Sequence, residues 1–541
     1  MRRAPQFLAA MPLALLAACG GGGGGGGGGS GTVPAPPAYS SVTLVQVSKA
    51  SAFTAGCDGV APTGTLYTDT AAEPSVVVNP TNPMNVIAAW QQNRWSNGGA
   101  QGLSLATSFD GGMTWTPANA AFSRCTGGDS SNAGDYARAS DVWLTASPDG
   151  TVYALSLSFT GVAQAPGSSS AMLVAQSVDG GLNWSAPVAL ITDTPPFFDD
   201  KGSITADPTD SSFVYAVWDR LAGAAGGPAT LAVSTDAGAS WAAARSIYDP
   251  GPANQTLGNQ IAVLPTAQVL DVFTELDESG SGTTAALARL VQSSDHGSTW
   301  SAAPVTIADL EPDGTVDPKT GQAVRDGSDI VALAVAPGGV IYVAWQDSRF
   351  TAGAHDGIAL THSTDGGATW SAPIEVNGDP SVQAFTPTVH VDASGTIAVT
   401  YYDLRNDVFA PPGELLADAW IVTSSDGSNF TEAHLSGPFD LDLAPNSGGL
   451  FVGDYESLTS VSGSLPFYAQ TDATTAAVRS DAFMAFPPAT AAAAAAHAGV
   501  IAAVGTFRAQ LAPPGFTFPA AARARIAARI EERRVERRRE P

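Results

Sequence analysis

The chain holds few of the residues on which much enzyme chemistry is built. Among 541 residues there are three cysteines and six histidines, and the histidines form neither an H-E-x-x-H motif nor an i, i+4 pair, which excludes a zincin-type metal site. No G-x-S-x-G elbow occurs, and no glycine run ends in Gly-Lys-Ser/Thr, so a hydrolase elbow and a phosphate loop are also excluded. Charge is scarce and one-sided: 14% of residues are charged, with 24 Lys and Arg against 50 Asp and Glu, a net of −26. So acidic a chain is no partner for nucleic acid. Apolar residues make up 44%, enough for a core, and 58 Gly with 38 Pro mark a turn-rich globular chain rather than a disordered one. The length fits a single large repeat fold with appendages better than two unrelated domains.

The two ends differ from the middle. Residues 1–18 open on Met1-Arg2-Arg3, run through an apolar stretch at 7–18 and close on Leu16-Ala17-Ala18 before Cys19. A dozen apolar residues are too few for a permanent span, and the segment resembles a bacterial lipoprotein signal peptide. That resemblance implies that Cys19 becomes the lipidated first residue, anchoring the chain to a membrane of the cell envelope. Gly20 after the cysteine, where the sorting pattern would have Asp, implies the outer membrane. Residues 19–41, with unbroken glycine from 20 to 29 and prolines at 34, 36 and 37, read as a flexible tether. Of the remaining cysteines, Cys57 and Cys125 are an even pair for an oxidising compartment. They are expected to form a disulfide closing 68 residues, contributing about 4 kcal/mol, with two buried thiols as the alternative. Residues 488–541 form an Ala-rich and Arg-rich tail. From residue 520 on it carries eight Arg against four Glu, with Ile526, Ile530 and Val535 near helical spacing, so a basic helix is expected, solvated or frayed rather than bound to a surface. Between Arg3 and residue 520 stand 14 basic and 46 acidic residues, a net of −32.

Within this middle an octapeptide, S-x-D-x-G-x-x-W, recurs at 108–115, 177–184, 234–241, 293–300 and 363–370, with a copy at 424–430 that is one residue shorter and ends in Phe430. The pattern reads as a hairpin turn in which Asp accepts amide protons, Gly takes a positive φ and Trp folds back onto the sheet. Six equivalent aspartates cannot share one active site, so the turn is structural. The spacing, near 63 residues, leaves room for four strands and one long loop. In the fifth unit, strand-like segments at 330–335, 340–345 and 358–362 precede the octapeptide and 374–376 follows it. Units start at Ser75, Ser140, Ser203, Gln260, Asp329, Thr386 and Leu450, one more than the octapeptides. The strand at 42–47 is therefore expected to supply the fourth strand of the last unit.

These octapeptides resemble the Asp-boxes, or BNR repeats, of the sialidase superfamily of β-propellers, over residues 42–487. The resemblance implies an all-β propeller of four-stranded antiparallel blades, seven in number, or six if the last unit is a cap, to which the chain adds a C-terminal helical tail; function has to be argued from the site. The ligand face of such a fold collects the residues that open each innermost strand. Here these are Glu73; Asp135, Tyr136, Arg138 and Asp141; Asp199, Asp200 and Lys201; Asn259 and Gln260; Arg325, Asp326 and Asp329; and Asp454, Tyr455 and Glu456. Sialidases bind a carboxylate with three arginines and use a Tyr–Glu nucleophile pair with an Asp acid/base. The resemblance thus implies an exo-glycosidase acting on or binding a glycan, with Tyr455 and Glu456 as the pair, Asp200 or Asp326 as the acid, and Arg138 and Arg325, with Tyr136 and Asp135, as binding residues. The family's early Arg-Ile-Pro is absent, its place reading Glu73-Pro74-Ser75, and a non-catalytic binding or scaffolding propeller of the envelope stays open beside the enzyme. Adjacent residues of a strand also face opposite ways, which sets Glu456 against the pairing. A second repeated motif, Trp90 to Arg94, Trp218-Asp219-Arg220, Trp345 to Asp347 with Arg349, and Tyr402-Asp403 with Arg405, is expected to pair neighbouring blades or tie the loop after the second strand rather than bind substrate. No metal ligand set is found. Residues 311–321 are acidic enough to hold Ca²⁺ but lack EF-hand spacing, and a decorative hairpin is expected there. No cofactor is called for, and a monomer is expected.

Overall fold

The computed structural model describes residues 42–223, 226–279, 283–472, 478–486, 504–513 and 516–537. Signal segment 1–18, Cys19, the tether at 19–41 and the alanine run at 491–496 lie outside the described residues. The structure is mostly β, in small antiparallel sheets. The third set shows the pattern: Phe198–Ala206 pairs with Val214–Leu221, which pairs with Ala229–Ser234, which pairs with Arg245–Tyr248. Corresponding sets open on Leu66–Val78, Arg138–Ala146, Gln255–Val263, Ala332–Val335, Ala384–Val391 and Ser457–Ser460. In the last set Ser480–Phe486 pairs with Thr43–Gln46, so the earliest strand does lie beside the latest.

The second strand of a set is buried on both faces; Val214–Leu221 (VYAVWDRL) has only Arg220 partly exposed. Such strands read as continuous apolar runs because each sheet is covered by neighbours on both sides. Among the described residues seven apolar clusters lie between successive sets. One joins the last set to the first, with Phe467 and Met484 against Val86 and Trp90.

Each octapeptide forms the turn after the third strand. In the first, Asp110 Oδ1 accepts the amides of Met113 and Thr114 (3.0 and 2.9 Å), the Gly112 amide donates to Ser108 Oγ (2.8 Å), and Trp115 Nε1 donates to Gly112 O (2.8 Å). These turns also reach the preceding set: Gly180 O accepts from Asn85 and Thr107, and Ala237 O from the Tyr153 hydroxyl. Cys57 and Cys125 are joined by a disulfide, their Cα atoms 4.9 Å apart.

The C-terminal tail departs from the expectation of a frayed helix. Gly505–Arg508 adds to the outer strand of the sixth set and Gln510–Leu511 to that of the fifth. The helix Ala520–Arg537 then buries Ala522, Ile526 and Ile530, an i, i+4, i+8 stripe, with the two isoleucines in the core shared by the fourth and fifth sets. No described helix is long and apolar enough to cross a membrane.

Phe467, fully buried where the last set meets the first, tests that junction. Phe467→Ala is expected to cost about 3–5 kcal/mol in urea unfolding of the whole body. A loss below ~1 kcal/mol would show that the last and first sets do not depend on one another.

Candidate functional site

The opening strands share a backbone device. In five of them the pairing register slips at a bulge, and inside each bulge one residue has left-handed φ: Glu73 (49°), Asp141 (50°), Lys201 (41°), Gly258 (64°) and Thr386 (49°). For a residue with a Cβ this conformation costs roughly 1–2 kcal/mol. It also breaks the two-residue alternation of the strand, so that a side chain is re-aimed at that point.

Three of the re-aimed side chains meet. Lys201 Nζ donates to Glu73 Oε1 (3.1 Å), Asp141 Oδ1 (3.1 Å) and Asp454 Oδ2 (2.6 Å). Asp454 also takes the Arg325 guanidinium in a two-pronged bond, Nε to Oδ1 at 2.9 Å and Nη2 to Oδ2 at 2.6 Å. The three carboxyl residues around the ammonium and Lys201 itself come from the first, second, seventh and third sets, and the residue exposures of Glu73, Asp141, Asp454 and Lys201 are 1, 2, 3 and 6%. At that depth charges persist only when paired. Glu73 in addition accepts from Gln91 Nε2. Burial pushes its carboxyl up to about 7, against the pull of Lys201 and with the help of Asp141 and Asp454.

Tyr455 sits on this cluster. Its hydroxyl lies 3.4 Å from Glu73 Oε2, its ring is 5.6 Å from Lys201 Nζ, and Trp143 packs against it at 5.6 Å between centroids. Burial, then the carboxylates of Glu73, Asp141 and Asp454, hold the phenol well above its ordinary value. The partner of Tyr455 is therefore Glu73 and not Glu456. Glu456 turns the other way, accepts from Thr400 Oγ1 at 3.0 Å and is pushed by burial up to about 8. Tyr455 and Glu456 stand ahead of the strand Ser457–Ser460, while Glu73 lies inside a bulge of its strand.

The remaining expected residues are spread around this centre. Asp326 is buried and accepts the amide of Thr315 (2.6 Å) and Gln346 Nε2 (3.0 Å), so it serves the backbone of its own loop. Asp200 lies directly across the strand pair from Asp219 and accepts the Lys201 amide at 3.0 Å. Asp135 is an exposed partner of Arg124, and Tyr136 packs with the apolar cluster between the first and second sets. Arg138 donates to Asn97 Oδ1 (3.0 Å), Gly98 O (2.6 Å) and Thr63 Oγ1 (3.1 Å) and stands over the Trp95 ring at 4.8 Å. Burial, then the nearby Arg94 charge, lowers its guanidinium to about 10. Arg94, which the repeated motif had marked only as structural, lies against the Phe451 ring at 4.5 Å, as does Arg325 at 4.6 Å, and both contact Ser447. Three arginines are thus neighbours, two of them expected. Elsewhere the repeated Trp-Asp-Arg motif does tie strands: Arg349 and Trp345 both bond Asp347, and Arg405 bridges Asp403 and Glu432.

A cavity of about 260 Å³ adjoins the cluster. Its wall takes Val76, Leu144, Ser203, Gln260, Leu333, Val389 and Leu458, one from each opening strand, together with Lys201, Asp454 and Tyr455. Among the described residues no three His, Cys, Asp or Glu are placed to hold a metal ion. In the acidic segment 311–321, Asp313 pairs with Arg525, and Asp317 accepts the Lys319 amide and the Thr320 hydroxyl. The carboxylates of Asp313 and Asp317 are spent on the protein itself, and the segment does form a hairpin, with Val316 bridged antiparallel to Ala323 and tied to the body through Arg525.

No family model matches the chain, and no curated protein matches it in sequence. Among solved structures it is similar to a Penicillium chrysogenum alpha-L-arabinanase complexed with arabinobiose (14% identity, 67% of this chain and 93% of that one, TM-score 0.43). It is also similar to a Hadza microbial sialidase (15% identity, 74% and 76%, TM-score 0.41) and to Trypanosoma rangeli sialidase in complex with sialic acid (13% identity, 66% and 55%, TM-score 0.40).

Two outcomes follow for the cluster. Lys201→Met strands three buried carboxyl groups and is expected to cost about 3–5 kcal/mol in urea unfolding at neutral pH; an unchanged midpoint would show that the ammonium is not what holds them. Glu73 has a folded value raised above that of the unfolded chain, so it binds the proton better when folded. Its contribution is full at low pH and is lost as pH rises from about 4.5 through about 7. Glu73→Gln is expected to flatten the fall in stability between pH 5 and 8 relative to the parent, and parallel curves for the two proteins would refute the raised value.

Proposed function

We propose that the chain is a closed, seven-bladed β-propeller that acts on a glycan as a glycoside hydrolase, at the axial end where the innermost strands begin. The closed ring is supported by the core between the last and first sets and by a cavity walled from all seven opening strands. The observation that carries the chemistry is the Tyr455 hydroxyl against Glu73, with Asp141 held on the same ammonium.

Tyr455 is read as the nucleophile. Its raised phenol stores no phenolate, so the proton must leave as the bond to the sugar forms. Glu73, up at about 7, is a base matched to neutral pH for taking it. Asp141 is read as the acid that protonates the departing oxygen and then as the base that activates water. With Tyr455 attacking the sugar and water then displacing it, the two successive substitutions make a double displacement with retention. Arg94, Arg138 and Arg325 set a positive field beside this centre and suit a sugar that carries a carboxylate. At the N-terminus we read Cys19 as the lipid anchor and 19–41 as the tether that presents the propeller from the bacterial outer membrane.

A second reading, a binding platform without turnover, is favoured by one observation: the Arg325 fork and the Lys201 ammonium are already engaged by Asp454. The test is the tether-free protein on fluorogenic sialosides and other glycosides. Hydrolysis is expected, with Tyr455→Phe slower by at least ~10²-fold. Turnover by Tyr455→Phe at the parent rate would overturn the assignment of Tyr455. Glycan binding without hydrolysis by the parent would leave the platform.

A further inference from the structure

A line of polar contacts runs from the surface helix to the axis. Arg525, on the exposed side of the helix Ala520–Arg537, donates from Nε to Asp313 Oδ1 at 2.8 Å and from Nη2 to Gly353 O. The Asp313 and Gly314 amides donate to the two oxygens of Asp356 at 2.7 and 2.9 Å. Gln346 Nε2 spans Asp356 and Asp326, at 3.2 and 3.0 Å, and Asp326 in turn takes the Thr315 amide. The next residue back, Arg325, holds Asp454, and Asp454 holds Lys201. The helix also covers the turn at 349–353 closely: a Cβ on Gly353 would come within 2.6 Å of Ala522 and 3.2 Å of Phe518.

We propose that the C-terminal helix is a clasp that fixes residues 311–326 and through them positions Arg325 and Asp326 at the axial cluster. Arg325 sits on a strand of two residues, Val324–Arg325, which pairs in parallel with Leu450–Phe451. So short a ladder cannot fix a guanidinium by itself, and the segment before it has one isolated antiparallel bridge, Val316 with Ala323, and otherwise depends on side-chain acceptors: Asp326, Asp356 and Gln383 take the amides of Thr315, Asp313 and Val316. The helix is held independently, by the burial of Ile526 and Ile530. It therefore supplies rigidity that the loop lacks. Arg525 is a positioning residue and touches nothing at the axis. The bearing of this clasp on glycan chemistry rests on the function proposed above, while its existence does not.

Hydrogen exchange on the full chain separates the two. In Arg525→Ala, the amides of Asp313, Thr315 and Val316 are expected to exchange about two- to fivefold faster, the range of one exposed ion pair, with Arg525→Lys restoring part of the protection. In Ile530→Asp, which places a charge in the buried stripe, the same amides are expected to speed up by more than ~10-fold, while amides of the first three sets keep the parent rate. Unchanged exchange at these amides in both variants would overturn the proposal. So would a uniform rise across all sets, because the helix would then support the whole body rather than this loop. Turnover enters neither measurement, so failure of the glycosidase reading leaves the result interpretable.

Discussion

One ammonium group organises the centre of this molecule. Lys201 is one of three lysines in the chain, and it stands where carboxylates from three other sets converge. An ammonium offers three donors in no fixed plane, which suits three separate acceptors; a planar guanidinium would serve one or two. Without it, Glu73, Asp141 and Asp454 would be like charges in a dry site. With it, their mutual repulsion becomes a reason for four distant stretches of sequence to meet. Burial and the carboxylates the ammonium gathers set the electrostatics of Tyr455, whose hydroxyl shares Glu73 with that ammonium.

The backbone has to be bent to make that meeting. Side chains of a regular strand alternate between the two neighbouring sheets, and the left-handed residues at 73, 141 and 201 interrupt the alternation at matching places. The strain is local, at roughly 1–2 kcal/mol for each, whereas the apolar clusters between sets extend along whole strands and are many times larger in area. The body can therefore carry a strained axis. Strain of this kind, placed where titratable groups converge, is what separates the axial cluster from the ties made by Asp347 with Arg349 or Asp403 with Arg405. Those ties recur in the fifth and sixth sets, each between an aspartate at the end of the second strand and an arginine two residues on.

Much of the architecture was legible in the sequence because it repeats. The octapeptide states its own hydrogen bonds, and the surplus of one unit start over the turns pointed to an early strand beside the last, where Thr43–Gln46 pairs. The site was legible as a list of positions but not as a set of partners. Tyr455 and Glu73 are 382 residues apart, and only the bulge, which no residue type announces at Glu73 or Lys201, decides that Glu73 rather than Glu456 meets the phenol. A polar residue just ahead of several unit starts was the available signal. The tail was misjudged for a different reason. Its charge marks a solvated face, but Ala522, Ile526 and Ile530 are the face that matters, and three small or branched residues look weak until a groove of matching shape is present.

The acidic body raises the question of how an anionic sugar would approach. Distance and burial answer it better than net charge does. Aspartates of the repeated turns, such as Asp295 and Asp365, are held down at about 2 by the hydroxyls and amides of Thr299 and Thr369, so they are charged at any ordinary pH. They lie in exposed turns, and at physiological salt a charge is screened beyond about 8 Å. Near the axis the account is different: Glu73 carries less than a full charge near pH 7, and Asp454 is matched by Lys201 and Arg325. Arg138, whose bonds go to Asn97, Gly98 and Thr63, and its neighbour Arg94 bring positive charge that water screens poorly because both are buried. A carboxylate that reaches the axis would feel those arginines and not the −26 of the whole chain.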